Sequence, residues 1–462
     1  MNTVCFYFEI HQPFHLRRYR FFDIGNDHYY YDDHFNEENI NRLAHCCYLP
    51  ATQMFLDIIK ETGGKFHFAM SVSGVALDLL EHYAPEVIDK LKELANTGCV
   101  EFLAETYAHS LVSLRGDDEF ELQVKEHSQK IHDLFGQTPK VLRNTELLYS
   151  NGIGLRALQM GFNGIVTEGD KRFMGWHSPN YVYCCSSDPR LKILTRNSSL
   201  SNDITFRFSD WNWDQYPLTA DKFVSWIANA PEQEQVTSLF MNLETIGDIQ
   251  RAESGIFNFI KALPKFAKEE GLSFLTPSEV IAKFKPIDQL RFDNPISWAD
   301  EERDASAWLG NELQSQAFEK VSSLSERVRM SQNQRLLVDW YRLQSSDHFY
   351  YMSTKHFGNG IMHASPFSSP YDAFINYMNA LNDFMSMVNE QLPTDVDGSE
   401  IDNMRKTLNE QEETIQSLKM KVKELEGGSK DTKSTKEAKA PKEPAPVAKP
   451  VEKTKKAANK KK

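Results

Sequence analysis

The stretch Thr237-Ser238-Leu239-Phe240-Met241-Asn242-Leu243-Glu244-Thr245-Ile246-Gly247 decides the reading of this chain. Thr237–Met241 has the length and apolar character of a buried strand, and the chain turns polar at Asn242 and Glu244 as soon as that run ends. The same event recurs upstream. Val4–Ile10 runs into His11-Gln12, Val100–Ala104 runs into Glu105, and Pro139–Arg143 runs into Asn144-Thr145-Glu146. Lys65–Met70, Gly164–Thr167 and Leu272–Leu275 are further candidate strands. Amphipathic stretches such as Pro85–Leu94, Asp118–Phe135 and Ile256–Glu269 separate them. Pro85 suits a first helical turn, where its missing N–H costs nothing.

Strands alternating with helices imply parallel pairing through helical crossovers. About seven such units fit an α/β fold built as an irregular, closed (β/α)7 TIM-like barrel over residues 1–285. Barrels gather their chemistry at the C-terminal ends of strands, so the polar strand ends predict one shared site. From 286 to 390 the pattern becomes helical. Ala305–Leu324, Gln332–Gln344 and Tyr371–Met387 predict helices of a second domain that completes the site. Beyond the break at Leu392–Gly398, residues 400–426 carry Ile401, Met404, Leu408, Gln411, Ile415, Leu418, Val422 and Leu425. These alternate by three and four, the a/d ladder of a coiled coil, which predicts a homo-oligomer. A lone helix docked on its own body is the alternative. Residues 427–462 are rich in Lys, Ala and Pro without an aromatic residue, and predict a disordered tail.

The 462 residues are 40% hydrophobic and 12% aromatic, ample for a buried core. The net charge of −13 conceals a split. From Ser429 onward, 12 Lys face 4 acidic residues, a balance of +8 that leaves −21 for the rest. An acidic body argues against nucleic acid as partner and suits a neutral, hydroxyl-rich ligand. No apolar run approaches a membrane span, and the N-terminus reads as a strand rather than a leader. Six cysteines in two adjacent pairs and two singles make a poor disulfide framework and lack zinc spacing, so a reduced, cytoplasmic protein is expected.

Five segments, in order, resemble glycoside hydrolase family 57, the α-amylase and 4-α-glucanotransferase family. They are His11-Gln12-Pro13, the stretch 98–110 around Phe102-Leu103-Ala104-Glu105-Thr106-Tyr107-Ala108-His109, the stretch 143–151 around Asn144-Thr145-Glu146-Leu147, the Asn242 segment, and Trp298-Ala299-Asp300-Glu301-Glu302-Arg303-Asp304 with Ala307-Trp308-Leu309-Gly310-Asn311. Phe274–Glu279 lies between the last two, and the resemblance spans roughly residues 1–390. It implies a retaining mechanism on α-linked glucans or maltooligosaccharides without metal or organic cofactor. By the family pattern Glu146 aligns with the nucleophile, and an Asp is expected at 242 as general acid. His11, Glu105 and Glu244 match positions near the cleaved sugar. Trp308 and Asp304 fall in the motif that closes the site.

A retaining glycosidase needs two carboxyls, one to attack and one to protonate the leaving oxygen. Asn242 has no proton to give, which predicts impaired activity. Glu244, two residues on, would share its face if the strand continued, and Asp248 lies further along; either is a substitute acid to weigh. Two rivals stand beside the impaired hydrolase: a working hydrolase or glucanotransferase using such an acid, and a non-catalytic glucan-binding or regulatory protein assembling through its coiled coil. His45, His67 and His109 lack metal-ligand spacing and read as ordinary hydrogen-bonded residues. The aromatic stretch from Phe21 to Tyr31 reads mostly as packing, while Trp211, Trp213 and Tyr216 divide between packing and a sugar platform.

Overall fold

The computed structural model describes residues 3–355 and 365–391. The coiled-coil ladder and the tail lie outside the described residues. Residues Met1–Thr394 form one compact unit.

Eight strands frame the site: β1 (Thr3–Ile10), β2 (Phe68–Val72), β3 (Val100–Phe102), β4 (Val141–Arg143), β5 (Gly164–Glu168), β6 (Val182–Cys185), β7 (Lys192–Arg196) and β8 (Val236–Asn242). Seven of them run parallel around a distorted barrel in the order β8-β1-β2-β3-β4-β5-β7. Ladders join β8, β1, β2 and β3, and others join β4, β5 and β7. A parallel bridge between Ala104 and Leu142 links the two halves. The remaining seam is looser. Asn197 N–H donates to the Ser238 carbonyl at 2.8 Å, while β6 lies antiparallel on the other edge of β7.

The expected barrel is present, but its seventh stave differs from the sequence expectation. Leu272–Leu275 contributes only the short strand Ser273–Phe274, paired with Thr3 and Val4 of β1. The missing stave is Lys192–Arg196, whose charged ends hide a strand of three central residues.

Alternation along the strands explains what each side chain faces. On β1, Val4, Phe6, Phe8 and Ile10 pack against the surrounding helices, whereas Cys5 and Tyr7 point into the barrel. Tyr7, Ala69, Val141, Val166, Leu194 and Phe240 from six staves, with Leu103 just past the end of β3, belong to a common apolar core. The rings of Tyr7 and Phe240 meet edge to face at 5.4 Å.

Helices cap as their sequences suggest. Pro85–Asn96 starts on its proline, and Thr276 with Glu279 forms a reciprocal capping box for Pro277–Lys283. The helix predicted over 305–324 is two, Ser306–Leu309 and Glu312–Ser322, because Asn311 caps a fresh start by accepting from the Gln314 N–H. Ser325–Ser331, Gln334–Leu343, Ser346–Tyr350 and Pro370–Gln391 complete the helical part among the described residues. Among the described residues no helix is long and apolar enough to cross a membrane, and all six cysteines are free.

Candidate active site

Two residues beyond each member of the apolar layer stands a polar one: Glu9, Ser71, Glu105, Arg143, Glu168, Arg196 and Asn242. Strand alternation keeps those within strands on the inward face, and Glu105 lies beyond the end of β3. The barrel thus has an apolar floor and a charged ceiling at the C-terminal ends of its strands. Most of this ceiling is buried, and burial of charge demands partners. Arg196 pairs with Glu168 at 3.0 Å. Arg143 reaches across the barrel to Glu9 and lies 3.6 Å from Glu105.

His109 is the centre of the arrangement. Its Nδ1 is 3.1 Å from Glu105 and 3.7 Å from Glu9, and its Nε2 is 3.3 Å from Glu146. Burial opposes a charge on this ring, yet the hydrogen bonds it donates to Glu105 and Glu146 raise it to about 10. It is an imidazolium at neutral pH, not the incidental histidine the sequence suggested. His11 stacks on it with ring centroids 3.6 Å apart, and is held by Ser73 at 2.7 Å and Asp347 at 2.8 Å.

Glu146 follows β4 on a tight turn. Its φ is +55° and that of Leu147 is +52°, and His109 has φ +50°. Left-handed backbone at such residues is strained, by about 1–3 kcal/mol each. The surroundings fix the turn: Ser297 Oγ donates to the Glu146 carbonyl at 2.9 Å. Three donors converge on the carboxylate, namely Trp298 Nε1 at 2.8 Å, Ser346 Oγ at 3.2 Å and His109 Nε2. Burial would raise Glu146, but the hydrogen bond and charge of His109, with Arg143 and Trp298 behind them, hold it at about 2. Glu105, fully buried, is likewise held at about 2 against burial, by His109 and Arg143. Both are carboxylates at any physiological pH.

Asn242 ends β8 half-buried, in register with Glu9 of β1. It lines a cavity with Tyr7, Glu9, Arg143, Arg196 and Trp298, of about 40 Å³. That volume admits water but not a sugar ring.

The structure thus gathers His11, Glu105, Glu146 and Asn242 at one end of the barrel. Glu244 is close by but differently placed. The strand stops at Asn242 and a 3-10 turn spans Leu243–Thr245, so the assumed alternation fails. Its Oε1 accepts from Tyr48 at 2.5 Å and from Gln12 at 3.3 Å. Asp248 is paired with Arg42 at the surface. Trp308 is only 1% exposed, part of the core and near Tyr350, so it presents no surface to a sugar. Asp304 accepts at 2.8 Å from the N–H of Ser306, the first residue of the helix that carries Trp308.

Three residues outside the quoted motifs, Glu9, Ser346 and Asp347, complete the picture together with Arg143 and Trp298, which lie inside them. A lone glutamate inside Phe6-Tyr7-Phe8-Glu9-Ile10 was the available signal for the first. Ser346 and Asp347 carried none, being brought from the helical part by the fold alone. Among the described residues Glu9, Glu105 and His109 place ligand atoms within 4.8 Å of one another, as a metal site would. Here the Arg143 guanidinium already supplies positive charge to both carboxyls, and a cation beside it would be repelled.

A family model and a relative in sequence show the family of the chain. A family model described as Glycosyl hydrolase family 57 matches residues 5–291. A protein of Methanocaldococcus jannaschii named "Putative alpha-amylase" is 39% identical over 405 residues, 84% of this chain and 85% of that protein. A GH57 branching enzyme from Thermococcus kodakaraensis, solved with glucose, has TM-score 0.62 at 12% identity, covering 88% of this chain and 94% of its own. The 4-alpha-glucanotransferase of Thermococcus litoralis has TM-score 0.56 at 15% identity, covering 82% of this chain and 60% of its own. At these identities the solved structures speak for the fold alone.

Proposed function

The chain belongs to glycosyl hydrolase family 57, and on that premise we propose that it is an α-amylase-like protein acting on α-1,4-linked glucans by a retaining double displacement, slowed by the carboxamide at 242. The observation that carries this reading is the state of Glu146. A carboxylate at the end of a barrel strand, accepting from Trp298 and Ser346 and held at about 2 by His109 with Arg143 and Trp298 against its burial, is an ionised nucleophile at every working pH. Attack of its oxygen on the anomeric carbon gives a glycosyl ester, which water then cleaves. The donors around it position the carboxylate and limit its basicity. His11, locked between Ser73 and Asp347, supports the face of His109. The cavity is too small for a sugar, so glucan is held at its mouth, near Trp298.

The leaving oxygen also needs a proton. Asn242 can donate an N–H hydrogen bond but cannot transfer a proton at neutral pH. Loss of general acid catalysis typically slows a step by about 10²–10⁴. Asn242 also favours a second reading, a glucan-binding protein that does not turn its ligand over.

Turnover of maltooligosaccharides by the chain, by Asn242→Asp and by Glu146→Gln tests both. Slow turnover, a gain of about 10-fold or more in Asn242→Asp, and loss in Glu146→Gln are expected. Glucan binding with no turnover in any of the three would favour the binding protein. Neither binding nor turnover would defeat the α-glucan assignment itself.

A further inference from the structure

Resting on that reading, we propose that Glu9 is the proton donor that partly replaces the missing acid at 242, giving its proton to the glycosidic oxygen as Glu146 attacks.

The argument starts from register. Glu9 and Asn242 are paired residues on adjacent parallel strands, one step above the paired Tyr7 and Phe240 whose rings touch. Paired residues of parallel strands point to the same face, and adjacent strands lie about 4.8 Å apart. Glu9 and Asn242 therefore lie side by side on the same inward layer, and both line the same cavity. Glu9 is 5% exposed. Arg143 holds its Oε2, while its Oε1 is buried without a hydrogen bond and faces the His109 Nδ1 at 3.7 Å. A buried carboxyl oxygen without a hydrogen bond calls for an explanation.

Charge counting gives the same answer. Three buried carboxyls, Glu9, Glu105 and Glu146, face two cations, Arg143 and His109, while Arg196 is taken by Glu168. Three carboxylates would leave an uncompensated charge in the barrel, so one keeps its proton. Glu105 has Ser71 at 3.0 Å besides His109, and Glu146 has Trp298 and Ser346, so both are the better anions. Glu9 has the guanidinium alone at hydrogen-bond distance. Burial pushes it up to about 8, against the pull of Arg143 and His109 and with the push of Glu105 and Glu146.

The step balances without a further reagent. The Glu9 proton passes to the glycosidic oxygen, the C–O bond to the leaving sugar breaks with its electron pair on that oxygen, and Glu146 forms the ester. The Glu9 carboxylate then takes a proton from water as the water oxygen attacks the anomeric carbon, which frees Glu146.

The test is a rescue. Glu9→Gln keeps the shape and an acceptor for Arg143 but has no proton to transfer. Its rate on maltooligosaccharides is expected to fall by about 10²-fold or more. The double variant Glu9→Gln/Asn242→Asp is expected to recover it, which misfolding could not allow. On α-maltosyl fluoride, whose leaving group needs little protonation, Glu9→Gln should still form the Glu146 ester, and azide should speed its release. Parental turnover in Glu9→Gln, with activity lost in Glu146→Gln, would overturn Glu9 and leave the hydrolase reading standing. Loss that Asn242→Asp does not repair would also overturn it, as a structural effect. No turnover by the parent or by Asn242→Asp would remove both proposals together.

Discussion

Replacing His109 with Phe removes one charge and keeps the ring that stacks on His11. The consequence follows from the two carboxylates it joins. Glu105 and Glu146 are each held at about 2 rather than the ordinary 4.5, with burial pushing the other way and His109 giving the leading opposing contact. At 1.36 kcal/mol per pKa unit, this amounts to roughly 3 kcal/mol per carboxylate, drawn from all its neighbours together. Removing one partner of a buried ion cluster costs about 3–5 kcal/mol. For a body of about 390 residues that corresponds to a fall in Tm of about 4–6 °C. The pH dependence has a definite sign. Depressed carboxylates contribute stability that is present above their unfolded range near 4.5 and lost as pH falls toward 2. His109, raised to about 10, contributes stability that is full below its unfolded value near 6.5 and lost as pH rises through 10. The parent should therefore draw most from this cluster between about 4.5 and 6.5, and the variant should lose that advantage. Calorimetry of both proteins from pH 4 to 10 measures it. A His109→Phe protein melting within about 1 °C of the parent at pH 6 would refute the account of the cluster.

Trp298→Phe takes one donor from Glu146, so the acidic limb of ester formation on α-maltosyl fluoride should move upward in pH; an unmoved limb would mean that Trp298 does not tune the carboxylate. Trp308→Ala should cost about 3–5 kcal/mol in thermal or urea unfolding, while KM for maltooligosaccharides at low temperature stays within about twofold if the residue is core. A large rise in KM with unchanged stability would place Trp308 against sugar after all. The ladder from Ile401 to Leu425 leads us to expect light scattering to report an oligomer for the full chain and a monomer for a version ending at Pro393. Equal monomer masses would count against the coiled coil.

What the sequence made legible was the strand-end rule. Apolar runs ending at His11, Glu105, Asn144-Thr145-Glu146 and Asn242 pointed to one end of a barrel, and the fold brings these residues there. The rule works because a strand's direction fixes where its end lies. It fails where the chemistry sits inside the strand. Glu9, flanked by Phe8 and Ile10, belongs to the polar layer only because Tyr7 faces inward, and that face cannot be chosen from β1 alone. Arg143 was visible, but its partner lies on a strand across the barrel. His109 was dismissed because one histidine has no internal signature, and its role comes from carboxyls 4, 37 and 100 positions away. Lys192–Arg196 was missed because its ends are charged, and one of those charges closes an ion pair inside the barrel. Glu244 was misplaced by extending the period of two through a turn.

Six non-glycine residues adopt positive φ among the described residues, and three of them, His109, Glu146 and Leu147, stand together at the site. This bears on any attempt to rewrite the protein. Glycine is the residue that φ near +55° accepts without steric cost, and asparagine is the next. A design procedure that scored only how well each side chain suits its backbone would replace the imidazolium and the carboxylate early, and would leave the hydrophobic layers untouched. Heat-resistant descendants chosen by melting temperature alone would drift toward an intact barrel with an empty ceiling. Engineering on this scaffold therefore has to hold positions 109, 146 and 147 fixed, or select for chemistry at every round.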